Sequence, residues 1–354
     1  MNLITDWFKH HFSNPQVVFL SLLLLVISAI IVLFGNILGP VLASVVLAYV
    51  LEGAVKRIQS LGVKRIFAVS VVFILFVFAL FAIMLWLIPL LTAQISQLVQ
   101  QVPQFLQSGQ AALIRLPERY PELVSEDQIR QVIRLIGAEF TIYGQKLVAY
   151  SVSSFRNIVS ILIFLIVMPI LVFLLLKDKD RIIDWFTNFM PRERQLTNKI
   201  WRESNAQFSN YIRGKFFEIV VVTIVSAVTF VWLDLQYAAL LAVAVGLSVL
   251  VPYVGAAVVT IPVLLIGWFQ WGWSWDFGYV AIAYFVIQAL DGNVLVPWLF
   301  SEVVNMHPVA IIVAVLFFGG IWGIWGVFFA IPLATLVQAI IRAWPEDQNL
   351  TVNE

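Results

Sequence analysis

The sequence has no cysteine and little charge: none of its 354 residues is cysteine, and only 12% are charged. The absence of cysteine excludes disulfides, thiolate metal sites and a cysteine nucleophile. Soluble domains carry about a quarter charged residues, whereas 62% of this chain is hydrophobic. The composition therefore predicts an all-α polytopic membrane protein, because helices satisfy their own backbone hydrogen bonds in lipid.

The motifs of several functional classes are also missing. A net charge of +1 argues against a nucleic-acid partner, since phosphate binding needs a concentrated basic surface. The chain has no G-x-x-x-x-G-K-[ST] motif of an ATP-driven pump, and no H-E-x-x-H or G-x-S-x-G motif of a hydrolase. We expect no enzyme, no cofactor and no metal site. The expected partners are the lipid bilayer and a small polar solute, with Na+ or H+ as a candidate coupling ion.

About eight transmembrane segments are expected. Long apolar runs cover residues 16–34, 66–88, 158–176, 216–233 and 279–299, and a shorter run covers residues 37–51. The long runs suffice to cross about 30 Å of hydrocarbon at 1.5 Å per residue. Gly35 and Asn36 are expected to turn the chain between the first two segments, and Pro89 is expected to end the third.

The orientation follows from one short basic loop. Lys56, Arg57, Lys64 and Arg65 follow the second segment, and short basic loops stay in the cytoplasm. Residues 177–215, with nine basic and five acidic residues, fit the same side. Both termini are therefore expected to be cytoplasmic.

Five regions are predicted along the chain. They are a three-helix membrane region at 1–90, an extracytoplasmic amphipathic region at 91–157, two membrane helices at 158–234 with a cytoplasmic insert at 177–215, a transport core at 235–345, and a cytoplasmic tail at 346–354. In the second region, one helical stripe carries Leu91, Ile95, Leu98, Val102 and Phe105. Such a stripe is expected to lie on the membrane or to pack between subunits of a homo-oligomer.

Two apolar units are interrupted by glycine and proline. Residues 238–267 break at 251–255 (VPYVG), and residues 308–341 break at 319–326 (GGIWGIWG). A single span of that length would be near 50 Å long, so we expect two re-entrant hairpins whose tips meet. The alternative is that the glycines only allow close helix packing. The pathway residues predicted here are Pro252, Gly255, Gly319, Gly320, Gly323 and Gly326.

Polar residues interrupt the segment at 279–299, where Gln288, Asp291 and Asn293 are predicted to face the pathway. No basic residue lies in the flanking apolar segments, so an unpaired Asp291 carboxylate would hold its proton and could couple transport to a proton gradient. Alternatively, Asp291 and Asn293 only cap a helix break. Glu218 is expected near the cytoplasmic interface, either snorkelling or paired with Arg213 or Lys215.

At these positions the chain resembles the autoinducer-2 exporter family along nearly its whole length. The resemblance is carried by LIPLLTAQISQLVQQVPQF, FLLLKD, YIRGK, VPYVG, QALDGNVLVP, MHPVAI and GGIWGIWGVFFAIPLA, in the order of the family. The chain departs from the family pattern at Lys215, Ser301 and Glu302, where the family usually has Gln, Gly and often a basic residue. The resemblance implies a bacterial inner-membrane protein with about eight transmembrane segments, assembled as a homo-oligomer, a pentamer. It also implies export of autoinducer-2 or, for other members, sodium/proton exchange.

Three hypotheses follow. The first is a secondary transporter or facilitator that exports a small polar solute. The second is a monovalent cation (Na+)/proton antiporter that uses Asp291 for coupling. The third is a non-transporting membrane scaffold that acts through its amphipathic regions.

Overall fold

The computed structural model describes residues 15–114, 158–188, 195–300 and 306–343, which form helices and contain no strand. The helices are α1 Pro15–Gln59, α2 Arg65–Ala82, α3 Ile88–Ile114, α4 Ile158–Lys177, α5 Lys179–Thr187, α6 Gln195–Trp232, α7 Ala238–Ser248, α8 Val254–Trp271, α9 Trp275–Leu290, α10 Val296–Phe300 and α11 Pro308–Ala343. Single π-helical turns, Ile83–Leu87 and Asp291–Leu295, join α2 to α3 and α9 to α10. The predictions for residues 1–14, 115–157, 301–305 and 346–354 lie outside the described residues.

Six helical stretches are long and apolar enough to cross a membrane, which confirms the all-α polytopic class. They are Leu38–Gln59, Arg65–Gln110, Asn205–Trp232, Val254–Trp271, Trp275–Phe300 and Pro308–Gln338. Two further apolar helices in the described part of the chain are α4, with 20 residues, and the shorter α7, Ala238–Ser248. With 11 residues, α7 is only about 16 Å long. The described residues therefore do not supply eight full-length spans.

Two predicted helix ends are wrong. Helix α1 continues through Gly35 and Asn36. The chain also stays helical through Pro89, which lies in the first turn of α3. Glycine or asparagine inside a helix costs at most about 1 kcal/mol, whereas a broken helix leaves backbone groups that lipid cannot satisfy. The π turn Ile83–Leu87 lies just before Pro89, where the proline ring would otherwise meet the carbonyl four residues earlier. The expectation of a cytoplasmic N-terminus depended on the turn at Gly35 and loses that support.

The helices α1, α2 and α4 pack together around a buried core that includes Val55, Val69 and Val172. At one end of this bundle, the Glu52 carboxylate forms ion pairs with Arg65 at 3.2 Å and with Lys179 at 3.1 Å. The short basic loop is therefore tied to the start of α5.

The central element is α6, which packs against α1, α7, α9, α10 and α11. It runs without a break from Gln195 to Trp232. The predicted boundary between a cytoplasmic insert and a membrane helix at residue 215 is therefore not a break in the helix. As a result, Lys215 and Glu218 lie within a continuous helix and not at its start.

Helices α7 and α8 form a hairpin. At the open end, the backbone N–H of Gln236 donates to Gln270 Oε1 at 2.8 Å, and Gln270 Nε2 donates to the Asp234 carbonyl at 2.8 Å. At the tip, the Gly255 backbone lies so close to the Ser248 carbonyl that a Cβ would overlap it. We call this unit the first hairpin.

Helix α11 repeats this arrangement. It is divided at Gly323, whose φ of 60° and ψ of −136° are not helical and suit glycine best. Beyond the break, Gly326 lies against the Phe318 carbonyl as Gly255 lies against Ser248. Ala314 of the first limb and Ala330 of the second are buried in one cluster, so the limbs run side by side. We call α11 the second hairpin.

The predicted amphipathic helix exists as α3, in continuity with α2. Its stripe does not lie free, because Leu98 and Phe105 pack against the core of the first hairpin. The Phe105 and Phe269 rings stack with centroids 4.7 Å apart, and Gln94 Oε1 accepts a hydrogen bond from the Leu240 backbone at 2.8 Å. The open end of the first hairpin is therefore held by α3.

Candidate transport site

The tip of the first hairpin and the two limbs of the second meet α6, α9 and α10 around a cavity of about 690 Å³. The expectation that the tips of both hairpins line one cavity is wrong, because no residue at the tip of the second hairpin, 319–326, lies in its wall. The first hairpin contributes residues from Ser248 to Ala256, and the second contributes Pro308, Ile311 and Ile331. Val251 at the tip of the first hairpin also packs against the second. The charged residues that line the cavity are Lys215, Glu218 and Asp291.

A buried ion pair forms one wall of the cavity. Lys215 Nζ lies 2.7 Å from Glu218 Oε2, and the two side chains are 6% and 2% exposed. The same ammonium donates a hydrogen bond to the Val249 carbonyl at 2.9 Å. A buried ion pair offsets its desolvation only when further hydrogen bonds complete it. The first hairpin supplies that bond, so the tip of the hairpin and the pair depend on each other.

Asp291 is the third charge in the cavity. It begins the π turn Asp291–Leu295, so the predicted helix break is instead a widened turn, a feature frequent at functional sites. Among the residues that the structure describes, none donates a hydrogen bond to the buried Asp291 Oδ1 atom. Asp291 interacts electrostatically with Lys215 and with Glu218. The flanking segments contain no basic residue, as the sequence shows, but Lys215 from α6 lines the same cavity as Asp291.

Gln288 belongs to a hydrogen-bonded network between α8 and α9. Its Nε2 atom donates to the Tyr284 hydroxyl at 3.1 Å, and that hydroxyl lies 2.7 Å from Thr260 Oγ1. Thr260 in turn donates to the Ala256 carbonyl at 2.7 Å. The Tyr284 side chain is fully buried. This network fixes the second limb of the first hairpin against α9 and orients Gln288 at the cavity.

The Tyr284 hydroxyl can be removed without changing the packing of the ring. We expect Tyr284→Phe to lower the free energy of unfolding by about 1 kcal/mol, the typical net value of a buried hydrogen bond. Thermal unfolding of the purified protein in detergent measures this loss. The matched control is Tyr279→Phe, one turn earlier in α9, where the side chain is 56% exposed. An equal effect of the two substitutions would contradict a role for the network.

The predicted site residues separate into two groups. Gln288, Asp291 and Pro252 line the cavity. Asn293 instead donates its Nδ2 to the Ala289 carbonyl at 2.8 Å, within its own helix.

The predicted glycines do not line the cavity. Gly255 and Gly326 allow backbones to approach, Gly319 lies against the Val327 side chain, Gly320 faces open space and Gly323 forms the turn. The packing alternative thus describes Gly255, Gly319 and Gly326, while the break at 251–255 brings the tip of the first hairpin to the cavity.

Sequence reasoning missed Tyr211, Lys215 and Glu218 as cavity residues. The prediction that Glu218 pairs with Lys215 is confirmed, and the snorkelling alternative is wrong because the Glu218 side chain is only 1% exposed. Arg213 points elsewhere and donates its Nε to the Tyr49 carbonyl at 3.1 Å. A lysine and a glutamate three residues apart within apolar sequence were the available signal.

The cavity is closed toward one end of the molecule. On four of the helices that line it, α6, α7, α8 and α9, the next turn toward the Trp232 and Trp271 ends enters a buried apolar cluster. The residues that follow the lining positions are Val222 on α6, Val245 on α7, Val259 on α8 and Tyr284 on α9. A layer of packed apolar side chains therefore closes the cavity, with its three charged residues, toward that end.

This arrangement suits binding of a small polar molecule more than chemistry. Pockets of about 300–1,000 Å³ with a few convergent polar groups are typical ligand sites. Within the described residues, no group of three or more His, Asp or Glu side chains could hold a metal ion. The polar groups of the cavity are one ammonium, two carboxylates, the Gln288 amide and the hydroxyls of Tyr211, Ser248 and Tyr253.

Comparison with known proteins identifies the family. The family model of AI-2E family transporters matches residues 19–346. The chain is 41% identical over 348 residues to PerM of Escherichia coli strain K12, a protein named as a permease, and the match covers 98% of this chain and 99% of PerM. It is 24% identical over 322 residues to YrrI of Bacillus subtilis, named as a transport protein, with 85% of each chain covered. YueF, another Bacillus subtilis protein named for transport, is 24% identical over 345 residues, which cover 94% of this chain and 92% of YueF. The resemblance in the sequence is thus confirmed, and the chain belongs to the AI-2E family of membrane transporters.

Proposed function

We propose that the chain is a secondary transporter or facilitator that exports a small polar solute across the bacterial inner membrane through the cavity between the tip of the first hairpin and the limbs of the second. The observation that carries this proposal is that both hairpins and a buried ion pair line one cavity of about 690 Å³. Polar groups at membrane depth are costly and are usually functional. The family name favours autoinducer-2 as the first solute to test.

The proposal places both hairpins as re-entrant elements. Helix α7 is too short to span a bilayer, and the open end of its hairpin lies beside the exposed Trp273 and Trp275, which are 87% and 82% exposed. Tryptophan favours the membrane interface. With the short basic loop in the cytoplasm, this end faces outside and the residues before Pro308 face inside. The cavity is then open toward the cytoplasm and closed outward, as an exporter ready to load solute requires.

The antiporter alternative rests on Asp291, whose Oδ1 atom has no hydrogen-bond donor among the described residues. Such an oxygen is free to bind a proton or a cation. The scaffold alternative predicts cavity-free packing at both breaks, and the cavity at the first break argues against it. Assembly as a homo-oligomer, a pentamer in the family pattern, is part of the proposal. The exposed Ile95 and Val99 on α3 support it.

The Asp291→Asn variant tests whether coupling of transport to a gradient needs the titration of Asp291 or only the shape of its side chain. The substitution keeps the size and hydrogen-bonding capacity of the side chain but removes its titration. We expect the variant to insert normally, to lose gradient-driven flux in proteoliposomes and to retain passive exchange. The assay uses autoinducer-2 and 22Na+ as separate probes under imposed pH and Na+ gradients.

The matched control is Asp276→Asn, at the exposed start of the same helix, which should leave flux unchanged. Gradient-driven flux of either probe at the wild-type level in Asp291→Asn would contradict coupling through Asp291. Absence of flux of any small solute in the wild-type chain would favour the scaffold.

A further inference from the structure

The ammonium of Lys215 is bound as a free cation would be. Its ligands are the Glu218 carboxylate at 2.7 Å and the Val249 carbonyl at 2.9 Å. The Phe300 ring lies beneath it, with the centroid 5.3 Å from Nζ. Carboxylates, backbone carbonyls at helix ends and aromatic faces are the groups that bind monovalent cations in proteins.

The position of Val249 strengthens this binding. It follows the last residue of α7, and the C-terminal end of a helix carries a partial negative charge that attracts cations. Asp291, which interacts electrostatically with Lys215, is a second carboxylate that favours a cation here. The ammonium therefore lies in a region that the Glu218 carboxylate and the end of α7 make negative.

We infer that Glu218, the Val249 carbonyl and the Phe300 ring form a monovalent-cation site, and that the chain fills this site with its own Lys215 ammonium. The ammonium joins α6 to the tip of the first hairpin, so docking of the tip needs no dissolved cation. When Lys215 is shortened, Glu218 remains buried and unpaired, and a dissolved Na+ or K+ of suitable size takes the place of the ammonium.

The inference concerns binding to the purified protein, so it stands or fails independently of whether the cavity carries a solute. Lys215→Ala removes the ammonium and leaves room for an ion. Its melting temperature is measured in detergent in NaCl, in KCl and in N-methylglucamine chloride at equal ionic strength, with the wild-type chain as the baseline. We expect Lys215→Ala to melt lower than the wild type in N-methylglucamine chloride. Na+ or K+ should raise its melting temperature by about 5 °C in a saturable way, as binding to the folded state requires.

Two controls isolate the site. Lys179→Ala also removes a lysine from a glutamate, but Glu52 keeps Arg65 as a partner, so this variant should show the wild-type salt response. Lys215→Ala combined with Glu218→Gln removes both charges, and the added response to Na+ or K+ should disappear.

Two outcomes overturn the inference. One is a Lys215→Ala variant whose melting temperature responds to the three salts as the wild type does, since that would reflect ionic screening alone. The other is a Lys215→Ala variant that cannot be recovered in any of the salts, because a dissolved cation should substitute for the ammonium.

Discussion

Replacing Gly326 by alanine is expected to destabilise the protein more than the same change at other glycines of the second hairpin. A Cβ at Gly326 would overlap the Phe318 carbonyl, which belongs to the backbone and cannot rotate away. Overpacking costs about 1–3 kcal/mol when side chains can adjust, so we expect a loss of about 3 kcal/mol or more here. Gly255→Ala, which meets the Ser248 carbonyl, should behave in the same way in the first hairpin.

Each glycine has a matched control in the same part of the chain. A Cβ at Gly320 of the second hairpin would have no heavy atom within 4 Å, and Gly278 on α9 has the same open surroundings. Alanine at these positions should leave the melting temperature unchanged or raise it, because alanine favours helix. Equal melting temperatures for Gly326→Ala and Gly320→Ala would show that the limbs of the second hairpin do not approach each other closely at Gly326.

The glycine and proline interruptions were informative because each reflects a local backbone requirement. A chain that reverses within a few residues needs positive φ or close backbone approach, and Gly323 and Gly255 meet those needs. The sequence therefore predicted where the chain breaks. It also led to Gln288 and Asp291, since polar residues inside an apolar segment must find polar surroundings.

Other features could not be predicted because local sequence preferences compete with the hydrogen bonding and packing of the whole fold. Gly35 and Asn36 are turn residues in water, yet they continue a helix whose backbone bonds lipid cannot replace. The sequence pattern puts Lys215 and Glu218 at the boundary between the cytoplasmic insert and the membrane helix, because the apolar run begins near residue 216. Only the continuous course of α6 and the hydrogen bond to Val249 show that they are buried inside the site.

The central claim is that the cavity between the tip of the first hairpin and the limbs of the second is the solute pathway and is closed at the Trp271 end. Because the chain has no cysteine, Ser248→Cys introduces a single thiol at the cavity wall, and Ser274→Cys introduces one at the start of α9, near the closed end. A membrane-impermeant thiol reagent is applied to one side of oriented vesicles at a time. Solute flux is then measured.

We expect the two thiols to react from opposite sides of the membrane. Ser248→Cys should react from the side of the short basic loop, and Ser274→Cys from the other side. A bulky label at Ser248 should block flux, since it fills a cavity of about 690 Å³, whereas a label at Ser274 should leave flux intact. Labelling of both thiols from the same side, or full flux through a chain completely labelled at Ser248, would contradict the proposed pathway.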